Sequence, residues 1–164
     1  MLIRQFNQTD YPAVKEIYQQ GIDTGNATFQ LTAKTWDEWH NSMLDHSRLV
    51  AQENENIVGW AALSPISSRI VYSGVAEVSV YVATNAQGKG VGQKLLSQLI
   101  LDSERNGIWM LQASIFPENN GSIMLHQNNQ FRQVGMREKL GQINNVWRDV
   151  ILMERRSKTI GVSG

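Results

Sequence analysis

The chain has 164 residues, of which 41% are hydrophobic and 18% charged, and its 15 Lys and Arg residues balance 15 Asp and Glu residues. This composition is typical of one globular domain and excludes a disordered chain. Because no net charge attracts nucleic acid or anionic lipid, we expect neither as a partner. The absence of cysteine excludes disulfides, thiol nucleophiles and zinc sites built from cysteine.

The N-terminal segment MLIRQFNQTDY lacks the basic residues and long apolar run of a signal peptide. No apolar stretch approaches the roughly 20 residues that span a bilayer. We therefore expect a cytoplasmic protein with one domain over residues 1–154. Residues 155–164 form a polar tail that we expect to be frayed.

Hydrophobic periodicity predicts a strand, two helices and a hairpin in the first part of the chain. In chain order they are a strand at Leu2–Phe6, a helix from Thr9 or Asp10 to near Gly21, a helix at Trp36–Asp45, and strands at Leu49–Gln52 and Ile57–Leu63. Pro12 suits the first turn of the first helix. The polar residues Glu53–Asn56 predict the hairpin turn.

The second part of the chain alternates strands and helices. The predicted elements are a loop at Ser64–Gly74, a strand at Val75–Val82, a loop at Ala83–Lys89, a helix from Gly90 to about Asn106, a strand at Trp109–Phe116, a helix at Asn120–Asn128, and strands at Gln130–Arg137 and Val146–Met153 around a turn at Gly141–Asn145. The order β-α-α-β-β-β-α-β-α-β-β favours a mixed sheet with helices on both faces.

The glycine-rich segment QGKGVG, Gln87–Gly92, lies between the clearest strand and an amphipathic helix. Glycines let the backbone approach a ligand, and the free N–H groups and dipole at a helix N-terminus favour an anion. Lys89 adds a positive charge. The spacing G-x-G-x-G differs from a Walker A loop and from the dinucleotide motif G-x-G-x-x-G. We predict a phosphate-binding loop, with a merely flexible turn as the alternative.

This loop resembles the pyrophosphate-binding motif R/Q-x-x-G-x-G/A of the GNAT acetyltransferase superfamily. The segments IYQQGIDTGNATF, EVSVYV, FPENNGSIMLH and VWRDVILM, and the spacing of Arg69, Tyr72 and Glu77, are similar to those of phosphinothricin and methionine-sulfoximine N-acetyltransferases. The resemblance covers about residues 2–154. It implies an α/β (α+β) GNAT fold with a mixed, mostly antiparallel sheet of about seven strands, splayed between the fourth and fifth strands. It also implies acetyl-coenzyme A as co-substrate and a homodimer.

The resemblance implies a role for residues in three groups. Coenzyme A would be bound by Val80, Tyr81 and Val82 along the pantetheine arm, by Gln87, Gly88, Lys89, Gly90, Val91 and Gly92 at the pyrophosphate, and by Asn119. The catalytic residues would be Glu77 as general base and His126 beside the departing thiolate. The substrate would be bound by Phe29, Arg69 and Tyr72. No metal is implied, and His40, His46 and His126 are scattered along the chain.

These residue types suit acetyl transfer to an amine. An α-ammonium must lose a proton before it attacks a thioester, and the carboxylate of Glu77 can accept it, directly or through water. A backbone N–H of Val80 or Val82 can stabilise the oxyanion. An imidazole with an ordinary pKa of about 6.5 can protonate the thiolate. Arg69 can bind a substrate carboxylate with two hydrogen bonds.

We therefore expect an N-acetyltransferase that acetylates the α-amine of a small amino acid or amino-acid analogue. Acetylation of a protein N-terminus or a polyamine is the alternative reaction, and a wide, acidic acceptor groove would favour it. A non-catalytic acyl-coenzyme A-binding module is the alternative from another class. Replacing Glu77 by alanine separates enzyme from binder, since only an enzyme has a rate to lose.

Each candidate residue also has a structural alternative. Glu77 could be solvated on an exposed strand face, His126 could be a packed histidine, Arg69 a loop charge, and Asn119 a helix cap. We interpret Trp36 and Trp39 as core or dimer surface, and Trp147, Arg148 and Asp149 as sheet or interface structure.

The chain departs from the family pattern at two places. Gln130 precedes Phe131 where relatives usually have glycine, so the preceding helix must end without a glycine cap. Ser67 and Ser73 stand where some methionine-sulfoximine enzymes have arginine, which leaves the substrate open.

Overall fold

A computed structural model describes all residues 1–164. Seven strands form one sheet in the order β1-β2-β3-β4-β5-β7-β6. The strands are β1 (Leu2–Gln5), β2 (Leu49–Glu53), β3 (Asn56–Pro65), β4 (Val75–Val82), β5 (Met110–Ile115), β6 (Arg132–Ile143) and β7 (Val146–Arg156). All neighbours are antiparallel except β4 and β5, which are parallel. The predicted mixed, mostly antiparallel sheet is confirmed.

The four helices are α1 (Tyr11–Asp23), α2 (Trp36–Ser42), α3 (Val91–Arg105) and α4 (Asn120–Asn128). The ring of Tyr18 in α1 packs on Trp60 and Tyr81, which are paired across β3 and β4. The next residue pair, Gly59 and Val82, points to the opposite face because side chains alternate along a strand. The side chain of Leu95 from α3 lies there, so α1 and α3 cover opposite faces.

The other two helices extend these layers. Trp39 of α2 packs edge-on against Trp60, 5.7 Å between ring centroids, on the face covered by α1. Leu125 of α4 lies against Gly92 at the start of α3. The apolar positions predicted for α3 are buried, at most 7% exposed: Val91, Leu95, Leu96, Leu99 and Ile100. No helix is long and apolar enough to cross a membrane.

The parallel contact between β4 and β5 is short. It comprises the pairs Val75–Met110, Ala76–Leu111 and Glu77–Gln112. Beyond Glu77, β4 continues beside β3, whereas β5 continues beside β7 to Ile115. The two strands therefore separate after Glu77, which confirms the expected splay between the fourth and fifth strands.

The predicted extent of the second helix, Trp36–Asp45, is wrong at its end, because α2 stops at Ser42. Met43 has extended backbone angles, φ −100° and ψ 152°. The guanidinium of Arg48 donates to the carbonyls of Leu44, at 2.6 Å, and of Met43, at 3.3 Å. These hydrogen bonds satisfy carbonyls that leave the helix and so stabilise the early end.

The last hairpin is longer than predicted, and its turn is tighter. The expected turn at Gly141–Asn145 reduces to Asn144 and Asn145, with φ of 50° and 64°. Positive φ at both central residues is the requirement of a two-residue type I′ turn. Gly141 instead pairs with Arg148 within the sheet.

The C-terminal tail is held as far as Gly161, so the expectation of a frayed tail from Arg155 is wrong for residues 155–161. Arg155 and Arg156 lie in β7, and the polar tail begins at Ser157. Ser157 is buried and donates to Glu104 Oε1 at 2.8 Å. The Arg156 guanidinium donates to the carbonyls of Ile160 and Gly161, at 2.8 and 2.6 Å, and so folds the tail back onto the strand.

Candidate active site

The opening between β4 and β5 is the mouth of a cleft of about 1500 Å³. The separated half of β4 lines it together with the end of β5, the N-terminal end of α3, and α4. The segment that follows α1 forms the opposite wall, with Asn26, Ala27, Thr28, Phe29 and Gln30. The cleft thus joins the glycine-rich loop to the predicted catalytic residues.

Glu77 lies at the point where the strands separate and lines the cleft. Its Oε1 atom accepts hydrogen bonds from Gln112 Nε2, at 3.1 Å, and from Ser114 Oγ, at 2.9 Å. The other oxygen, Oε2, has no hydrogen-bond partner in the protein. The carboxylate is therefore held in one orientation by two donors, with one oxygen available to accept a proton.

The glycine-rich loop has the conformation that an anion cradle needs. Gly88 and Gly90 have φ of 74° and 80°, the left-handed region that favours glycine. No side chain caps α3, and the N–H groups of Val91, Gly92 and Gln93 have no acceptor within the chain. These unpaired donors at a helix N-terminus fit a pyrophosphate group.

Most of the predicted cofactor residues line the cleft. Those that do are Val80, Tyr81, Val82, Gln87, Gly88, Gly90, Val91, Gly92 and Asn119. Lys89 does not line the cleft. It lines instead a separate cavity of about 330 Å³ between α1 and the β2–β3 turn. The structure thus brings the backbone of the loop to the cleft but not the lysine.

Tyr81 has a side-chain role as well as the predicted backbone role. Its ring stacks on Trp60, with centroids 4.9 Å apart and planes 11° apart, and contacts Tyr18. Burial raises the pKa of Tyr81 well above its ordinary value, so its hydroxyl stays protonated at neutral pH. The side chain therefore forms a rigid, neutral part of the cleft wall.

Asn119 connects two parts of the cleft. Its Oδ1 accepts from the N–H of Ser122, at 3.1 Å, and so caps α4. Its Nδ2 donates to the carbonyl of Asn26, at 3.2 Å, on the opposite wall. The side chain thus acts as a helix cap, the structural alternative raised above, while the residue also lines the cleft.

His126 is buried in α4, only 4% exposed, with its ring edge-on to Phe131. Its Nδ1 lies 2.7 Å from the carbonyl oxygen of Ser122, which assigns the ring proton to Nδ1. Nε2 is then an acceptor, and it has no partner in the protein. Burial lowers the pKa of His126, so the ring is neutral at neutral pH. This geometry favours a packed histidine over a proton donor.

The predicted substrate residues are divided by the structure. Phe29 lines the cleft and packs edge-on against Phe116, 4.9 Å between centroids. Arg69 and Tyr72 lie on an exposed turn, where the guanidinium carbon of Arg69 is 5.5 Å from the centre of the Tyr72 ring. Neither of these two lines the cleft, so the structure does not bring them to Glu77.

Sequence reasoning missed Gln112, Ser114 and Glu118, which lie beside or along the cleft. The alternation of β5 puts Gln112 and Ser114 on one face, but only the pairing with β4 shows that this face meets Glu77. The charged residues that line the cleft are Glu77 and Glu118, with no Lys or Arg. No group of three His, Asp or Glu side chains lies close enough to hold a metal ion.

The sequence and fold are similar to those of named acetyltransferases. One relative is the L-methionine sulfoximine/L-methionine sulfone acetyltransferase of Salmonella typhimurium, which is 30% identical over 94% of this chain and 93% of the relative. Another is a phosphinothricin N-acetyltransferase of Alcaligenes faecalis, which is 32% identical over 93% of this chain and 81% of the relative. A phosphinothricin acetyltransferase from Sinorhizobium meliloti, solved with acetyl-coenzyme A, superimposes with a TM-score of 0.89 at 25% identity, over 99% of this chain and 91% of that one.

The family assignment follows from both sequence and structure. The model of the acetyltransferase (GNAT) domain matches residues 3–152, nearly the whole chain. The splayed sheet, the glycine loop before α3 and the cleft between them agree with that match. The chain belongs to the GNAT acetyltransferase family and is an N-acetyltransferase that uses acetyl-coenzyme A.

Proposed function

We propose that the enzyme acetylates the α-amine of a small amino acid or amino-acid analogue of the phosphinothricin, methionine sulfoximine or methionine sulfone class. The observation that carries the proposal is the Glu77 carboxylate, oriented by Gln112 and Ser114 at the splay, with one oxygen free. Relatives named for these substrates support the substrate class.

In this proposal, acetyl-coenzyme A supplies an activated acetyl group, and the chain supplies binding and proton transfer. The N–H groups of Val91, Gly92 and Gln93 bind the pyrophosphate, as their lack of internal acceptors allows. Glu77 accepts the proton of the acceptor ammonium, directly or through water. A backbone N–H of Val80 or Val82 donates to the acyl oxygen.

The departing thiolate needs a proton, and we propose that water supplies it. A neutral His126 with its proton on Nδ1 has only a lone pair at Nε2, so it cannot donate there. His126 instead supports α4 by its contact with Phe131.

One observation favours a second candidate, an acceptor amine without a carboxylate, such as a polyamine. The lining of the cleft contains the carboxylates of Glu77 and Glu118 and no basic side chain, which favours a cation over a zwitterion. Arg69, the residue expected to bind a substrate carboxylate, lies outside the cleft of its own chain.

A thiol-release assay with acetyl-coenzyme A tests both candidates. The acceptors are phosphinothricin, methionine sulfoximine, methionine sulfone, ordinary amino acids, polyamines and a peptide N-terminus. Turnover on the amino-acid analogues, lost in Glu77→Gln, supports the first proposal. Preference for polyamines replaces it with the second. Acetyl-coenzyme A binding without turnover on any acceptor contradicts both and leaves a binding module.

We also propose a cytoplasmic homodimer. The turn that carries Arg69 exposes Ile70 and Val71, 89% and 61% accessible, and adjacent exposed apolar residues are typical of a surface that another chain covers. Light scattering should give twice the 18.5 kDa mass of one chain. A monomer mass at micromolar concentration would contradict this proposal.

A further inference from the structure

Arg148 of β7 makes contacts with the segment after α1 that neither the proposed chemistry nor the sheet requires. We call the part of this segment that lines the cleft, Asn26–Gln30, the acceptor wall. The Nη1 atom of Arg148 donates to the carbonyl of Gly25 at 2.8 Å, and its Nη2 donates to Asn26 Oδ1 at 2.8 Å. Nη2 also lies 3.2 Å from Glu118 Oε2. The side chain is only 14% exposed. One guanidinium thus joins the segment after α1, the segment after β5, and β7.

The same guanidinium lies over the ring of Phe116, which in turn contacts Phe29. The Cζ atom of Arg148 lies 4.2 Å from the centre of the Phe116 ring, and Phe116 meets Phe29 edge-on. The Phe29 ring in turn packs on the backbone of Gly141, where a Cβ atom would come within 2.9 Å of the ring. Gly141 is the residue paired with Arg148 across the hairpin. The wall residue Phe29 therefore contacts Gly141 directly and Arg148 through Phe116.

Side-chain hydrogen bonds, and not regular secondary structure, fix this wall. Residues 24–35 contain no helix or strand. In its cleft-facing part, Asn119 donates to the Asn26 carbonyl. Thr28 is hydrogen-bonded to the hydroxyls of Tyr18 and Tyr81. Asn26 thus accepts hydrogen bonds from Arg148 at its side chain and from Asn119 at its backbone carbonyl. Because Asn119 also caps α4, these bonds connect the wall to the start of that helix.

We propose that Arg148 is a positioning residue that fixes the acceptor wall Asn26–Gln30 and thereby sets the affinity for the acceptor. The inference rests on the proposed function, because it concerns the acceptor half of the same cleft. The planar guanidinium of Arg148 donates to three oxygen atoms while one of its faces stacks on Phe116. The point charge of lysine cannot reproduce this combination.

The test compares Arg148→Ala and Arg148→Lys with the control Arg137→Ala. Arg137 is an exposed arginine of the same hairpin whose side chain makes no hydrogen bond. We expect Arg148→Ala to raise the acceptor KM about 10- to 100-fold, since small displacements of a positioning group cost that much. The Kd of acetyl-coenzyme A, measured by calorimetry, should stay unchanged. Arg148→Lys should remain impaired, and Arg137→Ala should match the wild type. The proposal would be overturned if Arg148→Ala left the acceptor KM unchanged or if Arg148→Lys were fully active. It would also be overturned if Arg148→Ala weakened acetyl-coenzyme A binding as much as acceptor binding.

Amide hydrogen exchange gives a second readout that needs no turnover. Residues 24–30 should exchange faster in Arg148→Ala than in the wild type, while α3 and the sheet keep their protection. Exchange that is unchanged in this segment, or raised throughout the chain, would overturn the positioning role. If the wild type acetylates no acceptor, the proposed function fails, but the exchange result still decides whether Arg148 orders the wall.

Discussion

The hydroxyl of Ser114 lies 2.9 Å from Glu77 Oε1, across the point where β4 and β5 separate. Gln112 is the last residue of β5 paired with β4, and it donates to the same oxygen. The geometry of the base thus depends on where the two strands diverge. A carboxylate held by two neighbouring donors needs no rearrangement when a substrate arrives, which is the benefit of a preorganised site.

Removing the proposed base should lower turnover strongly and leave the affinity for acetyl-coenzyme A unchanged. We expect Glu77→Gln to lower kcat about 100- to 10,000-fold, the usual contribution of a positioned general base. Ser114→Ala should lower kcat about fivefold, because it removes one hydrogen bond worth about 1 kcal/mol. Steady-state kinetics and calorimetry with acetyl-coenzyme A measure both effects. Glu55→Gln, which removes an exposed carboxylate, is the control. Wild-type kcat in Glu77→Gln would rule out the base.

Two glycines with the same positive φ allow an effect on cofactor binding to be separated from an effect on stability. Gly90 and Gly107 both have φ of 80°, but only Gly90 lies in the cleft. Valine at either position is strained, because β-branched residues rarely adopt positive φ, so Gly90→Val and Gly107→Val should both lower Tm. Only Gly90→Val should raise the Kd of acetyl-coenzyme A, about tenfold or more, by moving donors that bind a charged group. Equal Kd values in both variants would argue against the pyrophosphate loop.

Gln130 occupies the position where a helix C-terminus prefers glycine. Its φ is 67°, its N–H donates to the Gln127 carbonyl, and the Phe131 N–H donates to the His126 carbonyl, the pattern of a Schellman motif. Because the Gln130 side chain is exposed, Gln130→Gly should raise the free energy of unfolding by about 0.5–1 kcal/mol. Gln127→Gly, within α4, should lower it by about 1 kcal/mol. Urea unfolding measures both, and a destabilised Gln130→Gly protein would contradict this account.

Burial of His126 should make stability depend on pH. Its pKa is lowered in the folded protein, whereas the unfolded chain has the ordinary value of about 6.5. Between these values the unfolded chain binds more protons, so stability is complete above about pH 6.5 and falls as the pH drops towards the folded pKa. The slope for one proton is at most about 1.4 kcal/mol per pH unit. Urea unfolding from pH 5 to 8 should show a shallower slope in His126→Gln than in the wild type. Identical slopes would mean that His126 is not the group responsible.

Much of the fold could be predicted because its signals are local. The alternation of VAEVSVYV, the apolar stripe of the following helix and the glycines between them each depend on residues close together in the chain. The predicted α4 was confirmed at both ends, and Gly88 and Gly90 of the predicted loop have the positive φ that favours glycine. The end of α2 was predicted wrongly, and a distant strand contributes to it, because the Leu44 N–H donates to the Leu63 carbonyl of β3.

The site was less predictable because its members come from separate elements. The sequence by itself determined the family, the strand that carries Glu77 and the glycine-rich loop proposed to bind the cofactor, since short segments encode them. Only the tertiary structure decided that Gln112 and Ser114 meet Glu77, that Arg69 lies outside the cleft, and that Arg148 holds the acceptor wall. Those facts depend on strand register and on which loops meet at the splay, and no local pattern in the chain specifies either.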